Sequence, residues 1–262
     1  MKVVYLIAGL LMVHAVQAQQ QEGRVVYELT RQLKMDIAGP DGMEQHMPRS
    51  FVVRVEVLFG NNQMLRRQVE DDNAGGGFPD DEGGGMHFRA FGMGDDGVTW
   101  CNFTEGRKVE QREFATKRYL VTDSVQKQNW KLTGESKTIL GYACQQALTT
   151  RVGKRRMMTM ENGNMTSKEM ADTSQVTVWF TPAIPVSAGP DFEGQLPGLI
   201  LEIDINGTPT YKATEVSSKV NIASIKEPRG GKKITEADFN QERDKLMQEM
   251  QRNEVGRRPR GG

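Results

Sequence analysis

The chain has 262 residues, in which 34 Lys and Arg balance 34 Asp and Glu, with 28 glycines, 15 methionines and two cysteines. A formal net charge of zero excludes a simple nucleic-acid binder, since neutralising many phosphates needs a clear basic excess. A mean hydropathy of −0.56 excludes a polytopic membrane protein, and two cysteines are too few for a disulfide-rich scaffold.

The N-terminal residues 1–18 have the pattern of a secretory signal peptide. Lys2 supplies a positive start, residues 3–13 form an apolar run, and Ala-Val-Gln-Ala at 15–18 has the small residues of a cleavage site. The apolar run is much shorter than the roughly 20 residues that span a bilayer. The sequence therefore predicts export with cleavage after Ala18, and a mature protein in the periplasm, at the outer membrane or outside the cell.

Most of residues 19–228 predicts short β-strands. The clearest signal is Leu199–Ile205, where leucines and isoleucines alternate with Glu202 and Asp204. The other predicted strands are Arg24–Thr30, Phe51–Phe59, Val98–Phe103, Val109–Phe114, Arg118–Thr122, Trp130–Thr133, Ala143–Arg151, Gln175–Phe180, Pro209–Val216 and Lys219–Lys226. Long helical patterns do not separate these strands, so we expect one mainly β domain with a strongly curved antiparallel sheet, half-barrel or barrel-like.

Two segments depart from the strand pattern. Residues 71–97 contain nine glycines and seven acidic residues, a composition that buries little surface and predicts a long mobile loop. Residues 229–262 predict a C-terminal helix and a basic tail. Thr235 and Asp238 resemble a capping box, and apolar residues then recur on one side of a helix that runs to about Asn253.

The two cysteines, Cys101 and Cys144, fall in predicted strands. In an exported protein a disulfide between them would persist, and the chain-entropy model gives such a bridge roughly 4 kcal/mol at best. The alternative is two buried thiols that pack as small apolar side chains. Sequence spacing leaves both alternatives open, because a bridge requires the two Cβ atoms to meet.

Two stretches of the chain carry specific patterns. Residues 130–147 contain Gly-Tyr-x-Cys-x-x-Ala, and residues 178–203 contain Phe-Thr-Pro, Ile-Pro and Gly-Pro followed by Gly-Gln-Leu-Pro-Gly-Leu-Ile. Together they resemble the GLPGLI family of exported proteins from Gram-negative envelopes, although Gln195 interrupts the signature and Gln146 stands where Lys is common. The family has no assigned activity, so the resemblance implies an envelope location and no chemistry. The signature residues are Pro182, Pro185, Pro190, Gly194, Leu196, Pro197, Gly198, Leu199 and Ile200.

The signature predicts a stiff, irregular crossover between Thr181 and Gly198, since each proline fixes its own φ and restricts the residue before it. Two interpretations of this crossover stay open. In the first it plugs one end of the sheet and determines the fold. In the second it forms the rim or lid of a pocket.

A curved sheet with a signal peptide and a C-terminal helix is similar to the half-barrel of periplasmic lipoprotein carriers. This resemblance implies an apolar concavity that holds a ligand, but fold analogy does not establish one. The residues expected to wall such a concavity are Val178, Phe180, Leu199, Leu201 and Ile203. The same residues are equally suited to a filled core.

The sequence predicts no catalytic residues and no cofactor. The histidines of the mature chain, His46 and His87, lie in polar or glycine-rich stretches, and no nucleophile elbow or metalloprotease motif occurs. No metal ligands are assigned either. Because thioethers suit Cu(I), the methionines of residues 157–170 make copper handling in the periplasm the alternative function, although methionine also fills cores.

A further short pattern is Asp123-Ser124-Val125, which resembles the Asp-Ser/Thr-aliphatic acceptor used for O-glycosylation in some Gram-negative envelopes. A three-residue pattern often occurs by chance. Taken together, the sequence predicts an exported, non-enzymatic binding or structural module. Its expected partner is an unknown envelope protein or an apolar ligand, with no nucleic acid and no transmembrane segment in the mature chain.

Overall fold

The computed structural model describes the backbone of residues 20–38, 44–69, 97–161 and 164–256. The predicted signal peptide, the predicted mobile loop at 71–97 apart from its last residue, and the end of the basic tail lie outside the described residues. Within these ranges, no helix has the length and apolar character needed to cross a membrane.

In the part of the chain that the structure describes, twelve strands form one sheet, with a short 3₁₀ turn between the last two strands and one α-helix after the last strand. The strands are β1 (Gly23–Ala38), β2 (Glu44–Gly60), β3 (Gln63–Gln68), β4 (Val98–Asn102), β5 (Arg107–Phe114), β6 (Lys117–Ser124), β7 (Lys131–Ile139), β8 (Tyr142–Glu161), β9 (Asn164–Thr181), β10 (Leu199–Ile205), β11 (Thr208–Ser217) and β12 (Lys232–Thr235). The 3₁₀ turn is Ile222–Ser224 and the helix, α1, is Glu236–Gly256.

The order of strands across the sheet is β12-β6-β5-β4-β3-β2-β1-β11-β10-β9-β8-β7. Neighbouring strands are antiparallel except for β12, which pairs with β6 in parallel. The two end strands, β12 and β7, do not pair with each other, so the sheet stays open. The prediction of a mainly β, antiparallel domain with a C-terminal helix is confirmed.

Two long hairpins extend beyond the body of the sheet as two-stranded ribbons. β1 pairs with β2 as far as Ala38 and Glu44, whereas β11 accompanies β1 only up to Leu29. In the same way β8 pairs with β9 as far as Glu161 and Asn164, well past the strands that flank them. The sequence predicted much shorter strands here.

The predicted strand Lys219–Lys226 is wrong. The segment instead contains the 3₁₀ turn, because the Asn221 side chain accepts a hydrogen bond from the Ala223 backbone N–H at 3.1 Å and caps it. By contrast the predicted capping box at the start of α1 is present. The Asp238 N–H donates to the Thr235 hydroxyl oxygen at 3.1 Å, and that hydroxyl donates to the Asp238 carboxylate at 2.7 Å.

Strand alternation divides the buried residues between two faces of the sheet. We call the face that carries Val57, Phe59 and Val178 the inner face, and the opposite face, with Trp100 and Leu120, the outer face. The main core lies on the inner face and draws on nine strands and the connection between β9 and β10. A smaller cluster on the outer face packs under Ile225, next to the 3₁₀ turn.

The helix α1 packs on the inner face over β6. Its Phe239 ring meets the Tyr119 ring edge-on with 5.2 Å between centroids, and both side chains are buried. The Tyr119 hydroxyl donates to the Glu242 carboxylate at 3.0 Å. Edge-to-face packing of this kind adds about 1 kcal/mol to the area that the rings bury.

A buried hydroxyl group fixes the start of β10 against β1. The Tyr27 side chain is fully buried on the inner face, and its hydroxyl donates to the Ile200 carbonyl at 2.6 Å. The pairing of β10 with β9 shifts register just after Ile200. Tyr27 therefore satisfies a carbonyl at an irregular position of the ladder.

We expect Tyr27→Phe to lower the free energy of unfolding by about 2 kcal/mol, because it leaves the buried Ile200 carbonyl without this donor. Urea unfolding followed by circular dichroism measures the loss. Tyr142→Phe, at a half-buried tyrosine elsewhere in the sheet, is the matched control and should change stability by less than about 0.5 kcal/mol. Equal losses in the two variants would contradict the role given to the Tyr27 hydroxyl.

Candidate functional site

The segment that connects β9 to β10, residues 182–198, covers the inner face of the sheet; we call it the signature loop. Four of its apolar side chains are buried in the main core: Ile184, Ala188, Phe192 and Leu196. The loop also bonds back to the strand that follows it. The Leu199 N–H donates to the Ile184 carbonyl and the Ile200 N–H to the Ala188 carbonyl, both at 3.0 Å.

The residues that the sequence placed around an apolar concavity pack together with the signature loop. Val178, Phe180, Leu199, Leu201 and Ile203 are all buried and belong to the same cluster as the loop side chains. Of the two alternatives, the arrangement in the structure is therefore a filled core. The protein's own loop occupies the face that a ligand would need.

The signature residues divide between the core and the surface of the loop. Pro190, Leu196, Gly198, Leu199 and Ile200 are buried. The surface residues of the signature are the exposed Pro182, Pro185 and Pro197 and the half-buried Gly194. The exposed prolines stiffen the backbone, while the buried residues make the contacts with the sheet.

Glycine is required at Gly198 because two backbone segments approach closely there. A Cβ atom at this position would lie 2.3 Å from the Thr181 carbonyl oxygen, where the signature loop leaves β9. Real Cβ atoms do not approach backbone oxygens so closely. Glycine is favoured at Gly194 for a different reason, because its φ of +75° lies in the left-handed region of the backbone.

Gln195, which interrupts the signature, connects the loop to the other specific stretch of the sequence. Its side-chain oxygen accepts hydrogen bonds from the Trp130 indole N–H and from the Gln128 backbone N–H, both at 3.0 Å. The Trp130 ring also packs edge-on against Phe192, with 5.3 Å between centroids. The two patterns of the sequence are thus parts of one packing unit.

A row of alternating charges crosses the inner face between the signature loop and α1; we call it the ion row. Its members, in spatial order, are Glu193, Lys108, Glu110, Arg112 and Glu236. The nitrogen–oxygen distances between successive members are 3.4, 2.8, 2.5 and 2.9 Å. Three members come from β5, so the strand connects the loop to the first turn of the helix.

The ion row was not predicted from the sequence. Lys108, Glu110 and Arg112 are spaced two residues apart, which is a sufficient signal that they share one face of a strand. That this is the inner face, and that Glu193 and Glu236 complete the row, depends on contacts between residues far apart in the chain.

The environments of the two inner carboxyl groups shift their pKa values in opposite directions. Burial raises the pKa of Glu110, but Arg112 and Lys108 more than compensate and lower it to about 2. Burial raises the pKa of Glu193, and the nearby Lys108 offsets only part of this effect. Glu110 is therefore charged throughout the physiological range, whereas ionisation of Glu193 carries a cost.

Cys101 and Cys144 are both buried free thiols, which is the second of the two alternatives left open by the sequence. Burial, with Glu193 nearby, raises the pKa of the Cys101 thiol to about 12. Burial also raises the pKa of Cys144, whose thiol donates to the Tyr142 carbonyl at 3.4 Å. At neutral pH both are protonated and are weak nucleophiles.

The described residues include no group of three or more His, Cys, Asp and Glu side chains that could hold a metal ion. Of the methionines behind the copper alternative, Met170 lies exposed on the β8–β9 ribbon. The side chains of residues 157–165 lie outside the described residues, as does His87. Copper handling therefore stays a prediction from the sequence.

A family model described as a protein of unknown function (Porph_ging) matches residues 130–202. This range includes the first specific stretch, the second apart from its last residue, and the whole signature loop. The match shows that residues 130–202 are similar to a family whose function is unknown. The GLPGLI name and an envelope distribution remain predictions.

No curated protein matches the chain. Two similar solved structures are "Structure of PNGF-II in P21 space group" and "Structure of PNGF-II in C2 space group". Both are 17% identical to the chain, with TM-scores of 0.47 and 0.45. They cover 84% and 83% of this chain, which spans only 34% and 32% of theirs.

We expect Gly198→Ala to destabilise the protein by about 3 kcal/mol, because the added Cβ would collide with the Thr181 carbonyl. Thermal and urea unfolding measure the loss. Gly153→Ala is the control, since a Cβ there meets no atom within 4 Å on an exposed strand. A Gly198→Ala variant as stable as Gly153→Ala would show that the close approach is not needed.

The ion row predicts opposite pH dependences for two variants. A lowered pKa stabilises the fold above the ordinary value of 4.5, and this stabilisation is lost as the pH falls towards about 2. We therefore expect Glu110→Gln to lose about 3 kcal/mol at pH 7 and progressively less below pH 4.5.

The raised pKa of Glu193 has the opposite effect. It stabilises the fold only at low pH, and this stabilisation is lost as the pH rises through the pKa of the folded state. Wild type should therefore become less stable relative to Glu193→Gln as the pH rises above 4.5. Urea unfolding of the three proteins between pH 3 and pH 8 measures both differences. Parallel pH profiles for the two variants would contradict the opposite shifts.

Proposed function

We propose that this chain is an exported cell-envelope protein that acts as a non-enzymatic structural or binding module. The observation that carries the proposal is the filled inner face. The signature loop places its buried side chains on the surface where a carrier would hold a ligand.

The charged and nucleophilic groups of the inner face support a non-enzymatic role. The members of the ion row pair with one another, and the buried thiol of Cys101 is protonated at neutral pH. A catalytic site needs an acid, a base or a nucleophile that can reach a substrate. Here these groups hold the signature loop and α1 on the sheet.

An apolar ligand on the inner face would have to displace the signature loop. Exposing one large side chain such as Phe192 or Leu196 costs about 2 kcal/mol, and several would be exposed together. A partner that contacts exposed residues elsewhere on the protein does not incur this cost. Because displacing the signature loop is costly, we favour another envelope protein over an apolar ligand on the inner face as the partner.

The sequence of residues 1–18 supports export. A positive residue, a short apolar run and small residues before the cleavage position are the features of a secretory signal peptide. An oxidising compartment is also compatible with the structure, since both cysteines are buried away from solvent oxidants.

We expect the protein in the envelope fraction of the cells that make it. Its mass should be that of a chain that begins after Ala18. Cell fractionation and intact-mass measurement test this, and a variant lacking residues 2–18 should stay in the cytosol. Native mass spectrometry and lipid extraction of the purified protein then show whether it binds a lipid. These measurements distinguish a structural or protein-binding module from a lipid carrier. A full-length cytosolic chain would overturn export, and a stoichiometric bound lipid would overturn the filled inner face.

A further inference from the structure

Ser124 carries an exposed hydroxyl group at the end of a strand of the sheet. It is the last residue of β6 and lies opposite Arg107 of β5. On the other side of β6, β12 pairs only as far as Thr122. Within the described residues the β12 side of Ser124 therefore has no neighbouring strand, and a second protein can approach it.

The neighbours of Ser124 hold it in one conformation. The Asp123 carboxylate accepts from the Ser124 backbone N–H at 2.7 Å. The Gln126 amide donates to the same carboxylate at 3.3 Å and to the Ser124 hydroxyl oxygen at 3.2 Å. The hydroxyl oxygen thus accepts one hydrogen bond and keeps its own proton for donation.

Val125 anchors the tripeptide to the core. Its backbone N–H donates to the Gly106 carbonyl at 2.9 Å, and its side chain packs against the main core beside Gly194 of the signature loop. The aliphatic third position of the pattern therefore faces inward while the serine faces solvent. This alternation presents the hydroxyl from a fixed backbone.

We propose that Ser124 is an O-glycosylation site, an inference that rests on the proposed export. A glycosyl diphosphate, carried on a lipid or a nucleotide, would be the donor. The Ser124 oxygen forms a bond to the anomeric carbon as the bond from that carbon to the diphosphate oxygen breaks. The diphosphate leaves with the electron pair, and a base of the transferase accepts the hydroxyl proton. This chain supplies only the acceptor.

The chain contains a matched comparison site. Thr173 is exposed and follows Asp172, as Ser124 follows Asp123, but the third residue is Ser174 rather than an aliphatic residue. The Ser174 hydroxyl donates to the Asp172 carboxylate at 3.3 Å, so the third side chain of this stretch of β9 is polar and hydrogen-bonded. Thr173 should remain unmodified.

Intact-mass spectrometry of the protein purified from the envelope of its native host tests the proposal. We expect wild type and Thr173→Ala to carry the same added mass in sugar increments on the chain that begins after Ala18. Ser124→Ala should have the mass of the bare polypeptide, and Ser124→Thr should keep the addition. Mild alkali should remove the sugar from wild type by β-elimination.

The same spectra separate the two proposals. A chain that begins after Ala18 and carries no added mass overturns the acceptor site and leaves export intact. An addition that persists in Ser124→Ala also overturns the site. A full-length, unmodified chain overturns export and, with it, this inference. Thermal unfolding should be unchanged in Ser124→Ala, which shows that a missing sugar is not a folding defect.

Discussion

The close approach of two backbone segments at Gly198 determines how the inner face is filled. The chain leaves β9 at Thr181 and returns to β10 at Leu199, and the missing Cβ of Gly198 lets these points touch. Because both ends of the signature loop are fixed side by side, the residues between them must fold back over the sheet. Ile184 and Phe192 enter the core as a result.

Polar contacts also fix the orientation of the signature loop on the sheet. Gln195 binds Trp130 on one side, and Glu193 meets Lys108 on the other. Apolar packing is not directional, whereas hydrogen bonds and ion pairs have defined geometry. The signature loop therefore has one defined position on the sheet, although it contains no regular secondary structure.

The sequence predicts the fold best where apolar and polar residues alternate along a strand. Leu199–Ile205 was predicted with the bounds that β10 has, because its alternation meets no competing signal. Residues 152–174 extend β8 and β9 past the strands that flank them and lack apolar alternation in the sequence, so this part of the two strands was not predicted. The Gly194–Ile200 signature was identified from the sequence, but its partners Trp130 and Lys108 were not, because these contacts depend on tertiary folding.

The ion row also has a consequence for how the molecule opens. Removing α1 would leave Arg112 without Glu236, and lifting the signature loop would leave Lys108 without Glu193. Either event alters the charges around Glu110, which pairs with both Lys108 and Arg112. The helix at the end of the chain and the loop in its middle therefore belong to one cooperative unit, and local fluctuation of either is coupled to the other through a single strand.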